Sequence, residues 1–276
     1  MKIFIVGLGL IGASYAEGLH HRGHKIFAYD RNEDVVKTAV KHGFVESDNS
    51  LKRLTSCDLV LLALYPEHNV EFVKNNIDLF KKGQVVTDVS GTKIKMMKNI
   101  ENLLPDGISY TSHHPMAGKE TSGFDARDYT MFKKANFLIV TGKKSLQKDE
   151  MLLREVANDL RFGKITVLDA KTHDELIAFT SQLTHVLAVA LVQSDTLTLT
   201  KEATGDSYRD LTRIAKINEI MWSELFLENK DTLLQKIDDF EHQLETIKTL
   251  IKQDKVEELR NYLKQAKERR KAFDLD

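Results

Sequence analysis

Residues 3–12 read Ile-Phe-Ile-Val-Gly-Leu-Gly-Leu-Ile-Gly, and no other stretch restricts the fold as strongly. Ile3, Phe4, Ile5 and Val6 form an apolar, largely β-branched run that reads as a fully buried strand. The turn Gly7-Leu8-Gly9-Leu10-Ile11-Gly12 breaks it, and a helical pattern follows through Ala13, Tyr15, Ala16 and Leu19. Gly7 permits a tight turn, Gly9 lets the backbone approach a pyrophosphate, and Gly12 lets the helix lie against the strand. Free N–H groups and the positive end of the helix dipole draw phosphates to such a turn. A second strand pattern, residues 25–29, ends in Asp30, 18 residues past Gly12. A carboxylate there binds a ribose 2′-hydroxyl and repels a 2′-phosphate, so the expected cofactor is NAD rather than NADP. This turn, with Asp30, Arg31, Leu64 and Ser90, is the expected cofactor surface. A signal peptide would also combine Lys2, an apolar run and Ala13-Ser14-Tyr15-Ala16. Three glycines within the run oppose that alternative, and it leaves the second strand and its terminal Asp unexplained.

Through residue 168, strand and helix patterns alternate. Strands are expected at 2–6, 25–29, 58–64, 84–88, 108–112, 136–141 and 164–168, and helices at 10–22, 32–42, 67–80, 92–103 and 148–161. Several strands are continuous apolar runs, as in a parallel sheet covered by helices on both faces. Asn32 reads as an N-cap and Gly43 as a helix-ending glycine. From Thr172 onward there is no convincing strand and no proline. Residues 172–199 form a helical pattern apolar on most sides, which belongs inside a bundle. Leu233, Ile237, Phe240, Leu244, Ile247 and Ile251 are spaced 4-3-4-3-4, a heptad seam for helix contact within the chain or across a dimer. Val256, Leu259 and Leu263 continue it after Gln253-Asp254. The expected architecture is therefore α/β: a Rossmann-type dinucleotide-binding domain over residues 1–169, then an all-helical substrate and dimerisation domain over 170–276.

Composition narrows the partners. A formal net charge of −1 gives no global field that favours nucleic acid or a membrane surface. No apolar stretch reaches the ~18 residues of a spanning helix; the richest later run, His185 to Val192, falls short. The single cysteine, Cys57, excludes an internal disulfide and fits a reducing cytoplasm. It precedes a strand and reads as packing. No H-E-x-x-H, cysteine pair or EF-hand spacing is present, so no metal is expected.

Four segments carry candidate chemistry. In Thr111-Ser112-His113-His114-Pro115-Met116-Ala117-Gly118-Lys119-Glu120, placed after a strand end, His114 is a proton acceptor or a histidine capping the strand. Asp88-Val89-Ser90-Gly91-Thr92-Lys93 offers hydroxyls and a helix start to a phosphate, carboxylate or amide, or is an ordinary turn with Thr92 as N-cap. Ser181 and His185 lie one helical turn apart and meet either a ligand or core partners. Arg213 stands among Leu211, Ile214 and Ile217, and pairs either with a substrate carboxylate or internally with Asp210 or Glu219.

Together and in this order, these segments resemble the prephenate dehydrogenase family. The resemblance covers nearly the whole chain: G-L-G-L-I-G, the Asp after the second strand, D-V-S-G-T-K, H-H-P-M-A-G-K-E-x-S-G, S-Q-L-T-H, R-D-L-T-R-I-A, I-M-W and F-L-E-N. It implies NAD-dependent oxidative decarboxylation of prephenate to 4-hydroxyphenylpyruvate, in tyrosine biosynthesis, by a cytoplasmic homodimer. It implies that His114 bonds the substrate 4-hydroxyl, that Arg213 holds a substrate carboxylate, and that His185, Glu120 and Lys119 line or gate the pocket. Where many members carry a serine that touches hydroxyl and nicotinamide, this chain has Gly91, with Ser90 beside it. Gln182 and Thr184 replace the His and Pro of the common S-H-L-P-H, and no length is left for a C-terminal regulatory domain.

Three rivals remain. Arogenate dehydrogenase shares the chemistry with an amino group on the side chain. A β-hydroxyacid dehydrogenase would place a lysine and an asparagine near the start of the long helix, and Lys171 is followed by Glu175 instead. A dinucleotide-sensing module predicts NAD binding without turnover and leaves His114 and Arg213 no shared purpose.

Overall fold

The computed structural model describes residues 1–46, 49–119 and 121–274. They form two compact units, Met1–Asn229 and Lys230–Asp276. The first opens with β1 (Lys2–Val6), α1 (Leu10–His20), β2 (Lys25–Tyr29), α2 (Glu33–Lys41), β3 (Leu59–Leu62), α3 (Pro66–Asn75), β4 (Val85–Asp88), α4 (Ile94–Leu103) and β5 (Ser109–Tyr110). These five strands make one parallel sheet in the order β2-β1-β3-β4-β5. Their continuous apolar runs follow from burial on both faces: Ile3 and Ile5 pack in one core cluster, Phe4 and Val6 in another.

The expected strand 108–112 is two strands. The chain leaves the first sheet after Tyr110 and re-forms as β6 (Ser112–Pro115), antiparallel to β7 (Phe137–Thr141). After α5 (Gln147–Asp159), β8 (Ile165–Asp169) joins β7 in parallel, giving a second sheet ordered β6-β7-β8. His113 and His114 therefore lie within a strand rather than beyond its end. Alternation sends the two imidazoles to opposite faces.

Local signals behave as their chemistry requires. Asn32 accepts from the Asp34 N–H at the start of α2, and Gly43 takes φ +83° just past its end. The expected helix 67–80 stops at Asn75. Thr92 is not the N-cap of α4: the Asp174 carboxylate accepts from the Lys93 and Ile94 N–H groups at 2.9 Å each.

From Ala170 to Gln193 runs one continuous helix: α6 (Ala170–Ile177), a π-turn at Ala178–Gln182, and α7 (Leu183–Gln193). In the π-turn the Leu183 N–H bonds the Ala178 carbonyl, a five-residue step. The pattern expected to reach residue 199 stops at Gln193, because the chain turns after Ser194. Two further expectations are corrected. Among the described residues this helix is long and apolar enough, by length and composition, to cross a membrane, although no uninterrupted apolar stretch is. It is also not buried all round within this chain: Phe179 is 60% exposed and Leu176 45%. The unit ends with α8 (Thr200–Ala203), α9 (Asp206–Thr212) and α10 (Glu219–Glu228).

The second unit is a pair of helices, α11 (Lys230–Lys252) and α12 (Val256–Lys271), joined where Asp254 takes φ +53°. Tyr262 donates to Gln243 across the pair. Leu244, Ile251, Val256 and Leu263 of the heptad seam stay more than half exposed in the single chain. Compactness thus divides the chain at Asn229 rather than at Asp169; α6, which follows Asp169, packs on α4 and on β7 and β8 of the second sheet.

The glycine turn separates two requirements. A Cβ on Gly12 would sit 1.9 Å from the Gly7 carbonyl oxygen, whereas one on Gly9 meets nothing within 4 Å. Gly12→Ala should therefore lower unfolding stability by about 1–3 kcal/mol in denaturant titration. Gly9→Ala should leave stability unchanged and weaken dinucleotide binding in calorimetry.

Candidate active site

The carboxyl ends of the parallel strands gather the expected cofactor residues, as in any open α/β sheet. Gly7, at φ +91°, bonds the Tyr29 carbonyl through its N–H at 2.8 Å. Its Cα packs so closely on Ala63 and Leu64 that a Cβ would lie 2.7 Å from the Leu64 side chain. Gly9 is the N-cap of α1 and supplies no side-chain cap, and the first amide bonded back to it is that of Ala13, at 3.0 Å. The Leu10, Ile11 and Gly12 amides before it are the unclaimed donors of a helix start. Asp30 accepts from the Leu8 N–H at 2.8 Å and the Asn32 N–H at 2.9 Å, while Asn49 clasps its backbone. Each carboxylate oxygen keeps a lone pair for a ribose hydroxyl. Arg31 beside it is exposed. An NAD molecule fits these residues: open space over Gly9, free amides and a fixed acid at the second strand end.

Below the β4 turn lies a buried ion pair. The Lys93 ammonium, fully buried, donates to Asp88 at 2.8 Å and to the His113 carbonyl at 2.8 Å. Tyr110 and the Ser90 N–H complete the Asp88 carboxylate at 2.7 and 2.8 Å. Burial alone would raise the Asp88 pKa, but Lys93 and the surrounding donors hold it below the usual carboxylate value. Burial pushes the Lys93 pKa down.

The two histidines divide their work. His113 is wholly enclosed, with Thr87 Oγ1 at 2.7 Å from Nδ1, Tyr15 OH at 2.9 Å from Nε2, and Phe137 stacked on its ring. Burial lowers its pKa to about 3, so it is a neutral core residue. His114 is half-buried, with Nδ1 3.0 Å from His173 Nε2. His173 Nδ1 lies 2.7 Å from Asp174 Oδ1, and the two α4 amides hold that carboxylate in place. An ionised carboxylate only accepts, so His173 Nδ1 carries the proton and its Nε2 is an acceptor. His114 Nδ1–H then donates to it. That leaves a lone pair on His114 Nε2, which has no hydrogen-bond partner among the described residues. Burial holds both imidazoles below their ordinary pKa and therefore neutral. His173 and Asp174 were missed in the sequence; the signal was an adjacent His-Asp pair at the start of a mostly apolar helix.

The other expected residues scatter more widely. Ser90 is buried, its hydroxyl held between Asn69 Nδ2 and Met96 Sδ at 3.1 Å each. Gly91, beside it, packs against Leu225. His185 Nδ1 donates to the Ser181 carbonyl at 2.8 Å, and its ring stacks on Trp222 at 3.7 Å. Arg213 opens a 3₁₀ turn, Arg213–Ala215, that packs on α7, the helix carrying His185. It is exposed rather than enclosed by its apolar neighbours. Lys119 pairs with Asp128 at 2.8 Å, and the Asp128 N–H bonds Ser14 of α1. Glu120 lies outside the described residues. Lys171 is exposed and pairs with Glu175, unlike a catalytic lysine. His24, Glu155 and Asp159 come together elsewhere with ligand atoms within 4.8 Å of one another. His24 Nε2 already pairs there with Asp159 at 2.8 Å.

Comparison with known proteins agrees along the chain. A family model described as prephenate dehydrogenase, nucleotide-binding domain, matches residues 15–161, and one described as prephenate dehydrogenase, dimerization domain, matches 169–265. Prephenate dehydrogenase of Lactococcus lactis subsp. cremoris is 33% identical, over 99% of this chain and 78% of its own length. Synechocystis arogenate dehydrogenase superposes with a TM-score of 0.87 at 26% identity, covering 99% of this chain and 100% of its own. The Aquifex aeolicus prephenate dehydrogenase, solved with hydroxyphenyl propionate and NAD+, gives 0.86 at 30% identity, covering 99% and 98%.

Breaking the ion pair from one side strands a buried charge. Lys93→Met should cost about 3–5 kcal/mol of stability, and the Asp88→Asn/Lys93→Met double variant should cost less, both read by denaturant unfolding.

Proposed function

The chain belongs to the prephenate dehydrogenase family, and from that premise we propose that it oxidatively decarboxylates prephenate, with His114 as the proton acceptor. The tautomer chain from Asp174 through His173 to His114 carries this reading. It presents a neutral imidazole whose Nε2 lone pair is uncommitted. NAD, when bound, accepts the hydride from the substrate C4. Gly7, Gly9 and Gly12 would shape its pyrophosphate seat, the amides of Leu10 and Ile11 would meet its charge, and Asp30 would take a ribose hydroxyl. His114 Nε2 removes the 4-hydroxyl proton as that carbon becomes carbonyl-like. The imidazolium so formed is stabilised through His173 by the Asp174 carboxylate. Loss of the ring carboxylate as carbon dioxide leaves its electron pair to complete the aromatic ring, and the phenolate oxygen so formed takes the proton back from His114 Nε2 to give 4-hydroxyphenylpyruvate.

Arg213 is assigned to a substrate carboxylate, and His185, backed by Trp222, to the pocket wall. As the resemblance implies, Lys119 and Glu120 are assigned to lining or gating the pocket, and Ser90 and Gly91 to the substrate side of the β4 turn. We place the functional boundary at Asp169, the enzyme as a homodimer through its C-terminal helices, and its home in the cytoplasm. The exposed apolar seam of α11 and α12 supports the dimer. Cys57 suits a reducing compartment as a buried thiol whose pKa burial pushes up to about 11.

The decisive assay mixes purified protein with prephenate or arogenate and NAD or NADP, and follows reduced nicotinamide. Turnover with prephenate and NAD is expected, and binding without turnover refutes the reading. His114→Asn should lower kcat by at least ~10²-fold with little change in KM. The His114 pKa lies well below its ordinary value because of burial, so its base form persists as pH falls through 6.5. The kcat/KM profile should therefore show no acid limb at the ordinary imidazole pKa. Arg213→Ala should raise KM for prephenate by about tenfold or more while KM for NAD holds. Equal KM values in variant and wild type would leave Arg213 a structural residue.

A further inference from the structure

The nicotinamide side of the cleft is braced by one helix. Asp30 marks the adenosine end of the cofactor, so the other half runs across the turns after β3 and β4. Helix α10 and the residues flanking it touch both turns. Asn218 reaches the Tyr65 hydroxyl at 3.4 Å, and Glu224 accepts from the Glu67 N–H at 2.9 Å, both at the β3 turn. At the β4 turn, Leu225 packs on Gly91, and the Thr92 hydroxyl donates to Glu228 at 2.6 Å. Asn229 then bonds the Asp174 carbonyl and Gln182, tying the same helix to the histidine chain.

Glu228 is an uneconomical residue for mere packing. Its side chain is 5% exposed, and Lys95, itself exposed, is the cation near it at 3.7 Å. Burial raises its pKa, and Glu224 and Glu67 nearby push the same way. An apolar side chain would fill this space without desolvating a charge. What a carboxylate adds is a directional bond to Thr92, one residue from Lys93. Lys93 in turn holds the His113 carbonyl on the strand that carries His114.

We propose that Glu228 is a positioning residue: through Thr92 it fixes the Ser90–Lys93 turn against which the nicotinamide half of NAD is seated. This rests on the NAD-dependent reading above, and binding to NAD alone tests it separately. The full-length enzyme and the variants Glu228→Ala, Glu228→Gln, Thr92→Val and Glu228→Ala/Thr92→Val would be compared by NAD calorimetry and by kinetics. Loss of one charge-assisted hydrogen bond corresponds to about tenfold in affinity. Glu228→Ala and Thr92→Val should each weaken NAD by about that factor and raise its KM, with KM for prephenate nearly constant. Glu228→Gln keeps an acceptor for Thr92 and should recover most of the loss. The double variant should be no worse than the poorer single one. NAD affinity within twofold of wild type in Thr92→Val, no rescue by Gln, or additive losses would each overturn the proposal. Should Glu228→Ala fail to fold, the near-isosteric Thr92→Val decides. If wild type binds NAD but leaves prephenate untouched, the assigned reaction fails, and the calorimetry still judges Glu228.

Discussion

The interior of this molecule is organised around one ammonium group. Lys93 is enclosed without solvent, and a charge so placed survives only with acceptors and an opposite charge around it. Asp88 supplies one and the His113 carbonyl another. The consequence is positional rather than merely stabilising. Asp88 ends a strand of the parallel sheet, and His113 lies in the second sheet. One cation therefore locks two sheets that share no strand pairing. The Lys93 backbone amide meanwhile donates to Asp174, which orients His173. The cofactor turn, the histidine strand and the long helix thus all meet at a single residue.

That arrangement explains why adjacent histidines differ so much. His113 is satisfied on both nitrogens and closed in by aromatic rings, so it is structural. His114, one residue on, faces the opposite side of the strand, and among the described residues only its Nδ1 finds a hydrogen-bond partner. The partner is itself fixed by a carboxylate, so the proton on His114 has one place to be.

Much of this was legible in the sequence because it is local. The glycine turn, Asp30, the Asn32 cap and the continuous apolar strands each express a constraint within a few residues. The break at Thr111 was not legible, since Ile108 through Ser112 reads as one strand and only the competition of two sheets splits it. The capping of α4 by Asp174 was equally hidden: the cap arrives from 80 residues downstream, while Thr92 looks like a cap and serves Glu228 instead. The surroundings of Ser90 were hidden too, since Asn69 and Met96, which bond its hydroxyl, lie 21 residues before and six after it. Arg213 was expected among apolar neighbours, yet Leu211 belongs to α9, Ile214 shares the short 3₁₀ turn with Arg213, and Ile217 lies beyond it, so they form no continuous apolar face. The apolar reach of residues 170–193 escaped a search for unbroken runs because polar residues at 171–175, 180–182 and 184–185 interrupt it.

The π-turn at Ala178–Gln182 has a consequence of its own. A wide turn holds one residue more than an α-turn, and one residue in a helix is about 100° of rotation. The azimuth of His185 relative to His173 is therefore set by a single inserted position. Removing one residue there would let the rod close up as a plain α-helix and swing its far half around the axis. A change in the rod's length by one would be a change in the direction in which the His185 imidazole faces.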